Sequence, residues 1–126
     1  RTVLRLLRGG RWLLVFPEGT RTRDGSLGRF RPGSAERAAR AGVPVLPVCI
    51  EGAHRAWPRH QPLPRPARVA VAYGDPIYPR GRSGEQVMDG VVDQIGAMRG
   101  FLQGYCLPWG RRDRPPAMWQ PTHGEE

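Results

Sequence analysis

The sequence predicts an α/β fold, and three observations carry that reading. Apolar runs at residues 12–16, 43–50 and 68–73 have the length and composition of strands and are bounded by turn residues. Two other stretches, one at 34–40 and one opening after Ser83 and running to about Gln103, hold helix-forming residues; in the second, apolar side chains recur at helical spacing. The two kinds of element alternate along the chain, as helices packed on a sheet require. The expected architecture is a thin sheet of about three core strands with helices packed on it, in one domain of 126 residues.

Each element follows from its own residues. In residues 1–8, Val3, Leu4 and Leu7 share one side of a helix while Arg1, Arg5 and Arg8 share another, and Gly9-Gly10 ends it. Residues 12–16 (Trp-Leu-Leu-Val-Phe) are apolar without alternation, which predicts a fully buried strand of a parallel or mixed sheet. A polar, glycine-rich loop covers 17–33. A helix follows at 34–40, with Gly42 as its stop. In 43–50, Pro44 and Pro47 cannot donate to a ladder, so this strand is expected at an edge or with a bulge. Proline-rich residues 55–66 read as loop. The third strand, 68–73, ends at Gly74-Asp75-Pro76. Ser83 is an N-cap residue with Glu85 and Gln86 behind it, and Val87, Met88, Val91, Val92, Ile95, Met98 and Leu102 form the core stripe of the last helix. Residues 1–103 form the domain; 104–126 form a Pro- and Gly-rich tail expected to be poorly ordered.

Composition narrows the function. The chain holds 17 Gly and 14 Pro, so turns are many. Its net charge is +9, and every basic residue is Arg; it contains neither Lys nor Asn, a bias that a GC-rich genome produces. The charge is uneven: residues 1–68 carry 14 Arg against four acids, residues 69–126 six Arg against seven. A genome-wide bias does not produce that asymmetry. The first half therefore either faces something anionic (a phosphate-bearing substrate, a membrane surface or nucleic acid) or is a solvated basic face. No run approaches the ~18 consecutive apolar residues of a membrane span, and the N-terminus lacks the pattern of a signal peptide. Cys49 and Cys106 lie far apart, with no metal-ligand spacing. No cofactor or metal is expected, and the chain reads as intracellular. Nucleic acid is excluded as a partner, because the sequence offers neither a recognition helix nor an aromatic stacking platform.

The chemistry concentrates in the loop after the first strand, since ligands of open α/β sheets bind at the carboxyl ends of strands. Here stand Phe16, Pro17, Glu18, Gly19, Thr20 and Arg21, followed by Thr22 and Arg23. Gly19 permits close backbone approach to a ligand. The threonines offer hydroxyls, and the arginines offer forks suited to phosphate oxygens. Arg29 and Arg31 add charge at the far end. Glu18 either orients an arginine or a substrate hydroxyl, or forms a salt bridge with Arg21 that pins a turn.

Phe16-Pro17-Glu18-Gly19-Thr20-Arg21 resembles the FPEGTR block of the glycerolipid acyltransferases, the lysophosphatidic acid acyltransferase family. Three further matches follow in family order: Phe30-Arg31-Pro32-Gly33 resembles F-[KR]-x-G, Val43-Pro44-Val45-Leu46-Pro47-Val48 resembles VPVxPV, and Gly74-Asp75-Pro76-Ile77 resembles G-x-P-I. The resemblance implies a partial glycerol-phosphate acyltransferase-like domain. It implies transfer of a fatty acyl group from acyl-CoA or acyl carrier protein, as co-substrate, to a glycerol-phosphate acceptor such as lysophosphatidic acid, at the cytoplasmic face of a membrane. It places Arg21 on the acceptor phosphate, with Phe16, Pro17, Glu18, Gly19 and Thr20 shaping the acceptor pocket.

One departure qualifies it. The family's general base is the histidine of a His-x-x-x-x-Asp pair. Here Arg59 stands five residues after His54 and Arg65 five after His60, while His123 lies three residues from the end. With Arg at position 1, the expectation is an N-terminally truncated acyltransferase, the C-terminal half alone and inactive by itself. The alternative is a non-catalytic module that binds phosphates or anionic membranes.

Overall fold

The structure, a computed structural model, describes residues 2–104. Six elements follow one another: α1 (Thr2–Arg8), α2 (Gly33–Ala41), β1 (Val48–Glu51), α3 (Ala53–Ala56), β2 (Ala70–Tyr73) and α4 (Gly84–Gln103). Residues 105–126 of the expected tail, with Cys106 and His123, lie outside the described residues.

The long helix α4 organises the core. Its start is the predicted one: Ser83 Oγ accepts from the Gln86 amide at 3.2 Å while Gln86 Oε1 accepts from the Ser83 amide at 2.9 Å, a reciprocal capping box. Val87, Met88, Val91, Ile95, Met98 and Leu102 are buried, as the spacing predicts. Val92 is not; it is 45% exposed. At 3.6 residues per turn it falls about 40° beyond Met88, past the edge of the apolar arc. The first turn of α4 presses on α2. A Cβ at Gly84 would stand 2.6 Å from the Glu36 Cα, so only glycine fits there. Ala35, on α2, joins the core from that side.

β1 and β2 pair antiparallel, with Cys49 opposite Ala72 and Ile50 opposite Val71. Cys49 and Ala72 face the core, while Ile50 and Val71 point away and are each 47% exposed. The proline signal in 43–50 is met by a break in the ladder. Val45 and Ile77 exchange both backbone hydrogen bonds, at 2.9 and 2.8 Å, and regular pairing resumes only at Val48. Between them, the Pro47 carbonyl accepts from the Gly74 amide. Gln94 of α4 grips the next residue, accepting from the Asp75 amide and donating to its carbonyl.

Two expectations need correction. Residues 12–16 form no buried strand: they join no sheet among the described residues, and Trp12, Leu14 and Phe16 are 92, 76 and 65% exposed. The described sheet therefore has two strands rather than three. A run that is apolar on both faces is a strand only when neighbours cover both faces, and here neither is covered. Second, the loop reading of 55–66 missed α3, a single turn entered through Gly52 in the left-handed region at φ 90°. The chain after it folds back, with the Arg65 amide donating to the Ala56 carbonyl and Arg65 Nε to that of Arg55.

Candidate functional site

The loop from Pro17 to Pro32 is closed on itself by backbone and side-chain bonds. Gly19, at φ 70°, donates its amide to the Phe16 carbonyl and makes the opening turn. The Arg31 amide donates to the Pro17 carbonyl at 2.9 Å and joins the two arms at their base. Glu18 Oε2 accepts from the Gly28 amide at 2.7 Å and ties the arms higher up. The half-buried Glu18 carboxylate is thus used inside the loop. The alternative salt bridge to Arg21 does not form.

Near the tip, Asp24 Oδ1 accepts from both the hydroxyl and the amide of Ser26, at 2.7 and 3.0 Å. These bonds, the hydroxyl's first, hold the Asp24 carboxyl below its ordinary value of 3.8. Gly25, at φ 80°, lies against the His54 ring; a Cβ there would meet the ring Cδ2 at 3.0 Å. The Gly25 carbonyl accepts from Arg99 Nη2 at 2.6 Å, and Arg99 Nε pairs with Glu51 Oε2 at 3.2 Å.

Between the arms opens a cleft of about 550 Å³. Glu18, Thr20 and Thr22 line it from the first arm, and Gly28, Arg29, Phe30, Arg31 and Pro32 from the second. Hydroxyls and guanidinium groups around one hollow are groups that can bond oxyanion and hydroxyl oxygens. Among the described residues, no group of His, Cys, Asp and Glu is arranged to hold a metal ion.

The six residues singled out in the sequence have different places. Glu18 and Thr20 line the cleft; Pro17 and Gly19 shape its backbone; Phe16 is exposed and not in the lining. Arg21 is not in the lining. Its guanidinium carbon lies 5.8 Å from the centroid of the Trp57 ring, which is held by a bond from Nε1 to the Gln61 carbonyl. The loop is thus seated on α3 and its C-cap, through His54 and Trp57. The residues that seat it were missed: Trp57, Glu51 and Arg99. Arg99 had a readable signal, since it follows Met98 at the border of the α4 stripe, where a charged residue can reach along the surface of the core.

Known proteins similar to this chain are acyltransferases. A sequence model described as Acyltransferase matches residues 1–51. The 1-acyl-sn-glycerol-3-phosphate acyltransferase of Pseudomonas aeruginosa is 37% identical over 75 residues, 60% of this chain and 29% of that protein. A protein of the same name from Limnanthes douglasii is 40% identical over 65 residues, 52% of this chain and 23% of that one. The crystal structure of the 1-acyl-sn-glycerophosphate (LPA) acyltransferase PlsC from Thermotoga maritima superposes with a TM-score of 0.75 at 30% identity, over 87% of this chain and 45% of that one.

Over residues 1–51 the chain is similar to the acyltransferase family. It spans less than a third of the length of these two curated relatives and just under half of the solved structure. The match to the acyltransferase model takes in α1, the whole cleft loop, α2 and β1. The α/β reading stands with it, as helices around a small antiparallel sheet.

Proposed function

We propose that these residues form the acceptor-binding part of a phospholipid-synthesis acyltransferase. It would move a fatty acyl group from acyl-CoA or acyl carrier protein to a glycerol-phosphate lipid such as lysophosphatidic acid. The observation that carries the reading is the cleft itself: Glu18 and Thr20 of the FPEGTR stretch share one hollow with Thr22, Arg29 and Arg31. In the reaction, the acceptor hydroxyl oxygen attacks the thioester carbonyl carbon. The new C–O bond forms, the C–S bond breaks, and the hydroxyl proton passes through a general base to the departing thiolate.

The assignment of Phe16, Pro17, Glu18, Gly19, Thr20 and Arg21 to acceptor binding belongs to this proposal. Glu18 and Gly19 set the loop's shape, and Thr20 and Thr22 bond the glycerol oxygens. Arg29 and Arg31 receive the phosphate from one side. Arg21 adds positive charge from outside the cleft lining, its guanidinium carbon 5.8 Å from the Trp57 ring centroid. Residues 1–103 are then the acyltransferase part and 104–126 a tail. A lipid acceptor places the work at a membrane surface, proposed as the cytoplasmic face. No helix among the described residues is long and apolar enough to cross a membrane.

The test is binding of monomeric, short-chain lysophosphatidic acid by calorimetry. The expected result is measurable affinity that Arg21→Ala weakens about tenfold, the loss of one charge-assisted contact of ~1.5 kcal/mol. Equal affinity for lysophosphatidylcholine, whose phosphate is a diester, would argue against phosphomonoester recognition. A second reading, a module that only binds phosphates or anionic membranes, is favoured by one fact: the basic cleft stands in a sequence that has no His-x-x-x-x-Asp. Sedimentation with anionic liposomes at two salt concentrations tests it, and absence of binding at low salt would rule it out.

A further inference from the structure

We propose that Arg99 is a positioning residue for the acceptor loop, a strut that runs from the core helix to the loop tip and sets the width of the cleft. The inference rests on the proposed acceptor role of that loop and extends it to a residue 74 positions away from the carbonyl it holds.

The loop is first tied to itself. Its internal bonds, from Glu18 to Gly28 and from Pro17 to Arg31, tie one arm to the other. They fix the loop's shape but not its place on the body of the protein. Arg99 fixes the place of the tip, beside the contacts to His54 and Trp57. Its Cα is anchored by α4, where the preceding residue, Met98, is fully buried. Its guanidinium divides its bonds: Nη2 donates to the Gly25 carbonyl at 2.6 Å, and Nε donates to Glu51 Oε2 at 3.2 Å. Glu51 ends β1, so the sheet orients the fork and the fork orients the loop. The side chains of Arg99 and Glu51 are only 20 and 18% exposed, so these charge-assisted bonds are partly sheltered from water.

The far end of the strut is built for close approach. Gly25 is in the left-handed region at φ 80°, and its Cα side is against the His54 ring, so that a side chain there would be strained and crowded. The loop tip is thus pinned by a bond from α4 on its carbonyl and by an aromatic ring of α3 on its Cα. Gly25 lies between the two walls of the cleft, Thr20 and Thr22 before it and Arg29 and Arg31 after it. A tip released from Arg99 lets the walls move relative to each other. Arg99 itself is absent from the cleft lining, so it acts on a ligand only through the loop.

The experiment compares wild type, Arg99→Met and Arg99→Lys in the 126-residue chain. Three readouts are taken: residue-resolved amide exchange, trypsin cleavage after Arg23 and Arg29, and the amide shifts produced by monomeric lysophosphatidic acid. Arg99→Met is expected to speed exchange at Gly28 and Arg31 and cleavage in the loop about tenfold, with the amides of α4 unchanged. Its affinity for lysophosphatidic acid is expected to fall by a similar factor. Arg99→Lys keeps the charge but cannot span Glu51 and Gly25 together; it is expected to restore thermal stability without restoring loop protection, which a purely structural role would not produce. Should Arg99→Met fail to fold, the lysine variant alone decides, because full loop protection in it overturns the strut. Loop exchange unchanged in both variants, or accelerated no more than in α4, also overturns it. Wild-type chain that binds no lysophosphatidic acid while the loop still loosens refutes the acceptor reading and with it the positioning role. Wild-type binding that neither variant weakens refutes the strut alone.

Discussion

Glu18 shows how one carboxylate can be occupied before any ligand arrives. Its Oε2 accepts from the Gly28 amide, and a Cβ at Gly28 would stand 3.0 Å from that same oxygen, so the two residues are fitted to each other. Removing the acceptor leaves a half-buried N–H without its partner, a cost of about 1 kcal/mol at this degree of exposure. Glu18→Ala is therefore expected to raise exchange at Gly28 about fivefold and to weaken lysophosphatidic acid binding, while Glu18→Gln, which keeps a carbonyl oxygen in place, loses less than half as much. Amide exchange by NMR separates these outcomes, and equal losses in both variants would mean that the charge, not the bond, matters. The sequence pointed to Glu18 because a carboxylate among arginines stands out. It offered Arg21 as a partner for it because spacing reveals only near neighbours. Gly28 carries no side chain to suggest a contact, and Trp57, where Arg21 actually rests, is 36 residues further on. Contacts of that range are set by how α3 meets the loop, which no local pattern encodes.

At the scale of elements, α4 was legible at nearly every position because its signals are local: a capping box at Ser83, an apolar arc and twenty residues without proline. Residues 12–16 were not, because the pairing of a strand is decided by its neighbours, and the described residues supply none. The glycines of α4 carry the finest element-scale test, since one helix holds two opposite cases. At Gly84 a Cβ would press on the Glu36 backbone at 2.6 and 2.7 Å, and backbone cannot yield as a flexible side chain can. At Gly96 and Gly100 a Cβ would meet nothing within 4 Å. Gly84→Ala is expected to destabilise the domain by about 1–3 kcal/mol as α2 and α4 are pushed apart. Gly96→Ala and Gly100→Ala are each expected to stabilise it by about 0.8 kcal/mol through helix propensity alone. Urea denaturation measures all three. The same sign at positions 84 and 96 would show that the α2–α4 contact is looser than the geometry states.

For the whole molecule, the basic half and the cleft coincide: residues 1–68 contain the loop, its four arginines and the helices beside it. In the proposed function that arrangement holds an anionic acceptor, and holding it is a different task from activating it. A lipid hydroxyl is a weak nucleophile until a base takes its proton, a step worth typically 10²–10⁴-fold in rate. The described histidines are not placed for that work. His54 packs its ring on Gly25, on the side of the loop that meets α3, and His60 is exposed in the proline-rich turn after Trp57; neither lines the cleft. The 126-residue chain is accordingly expected to bind lysophosphatidic acid yet release no thiol from acyl-CoA above the uncatalysed rate, as followed by a thiol-reactive dye. The two halves of that result must be read together, because a chain that neither binds nor reacts refutes the acceptor reading itself. Thiol release that depends on lysophosphatidic acid would overturn the expectation and single out His54 as the base nearest the loop. His54→Ala would then have to abolish turnover while leaving binding intact.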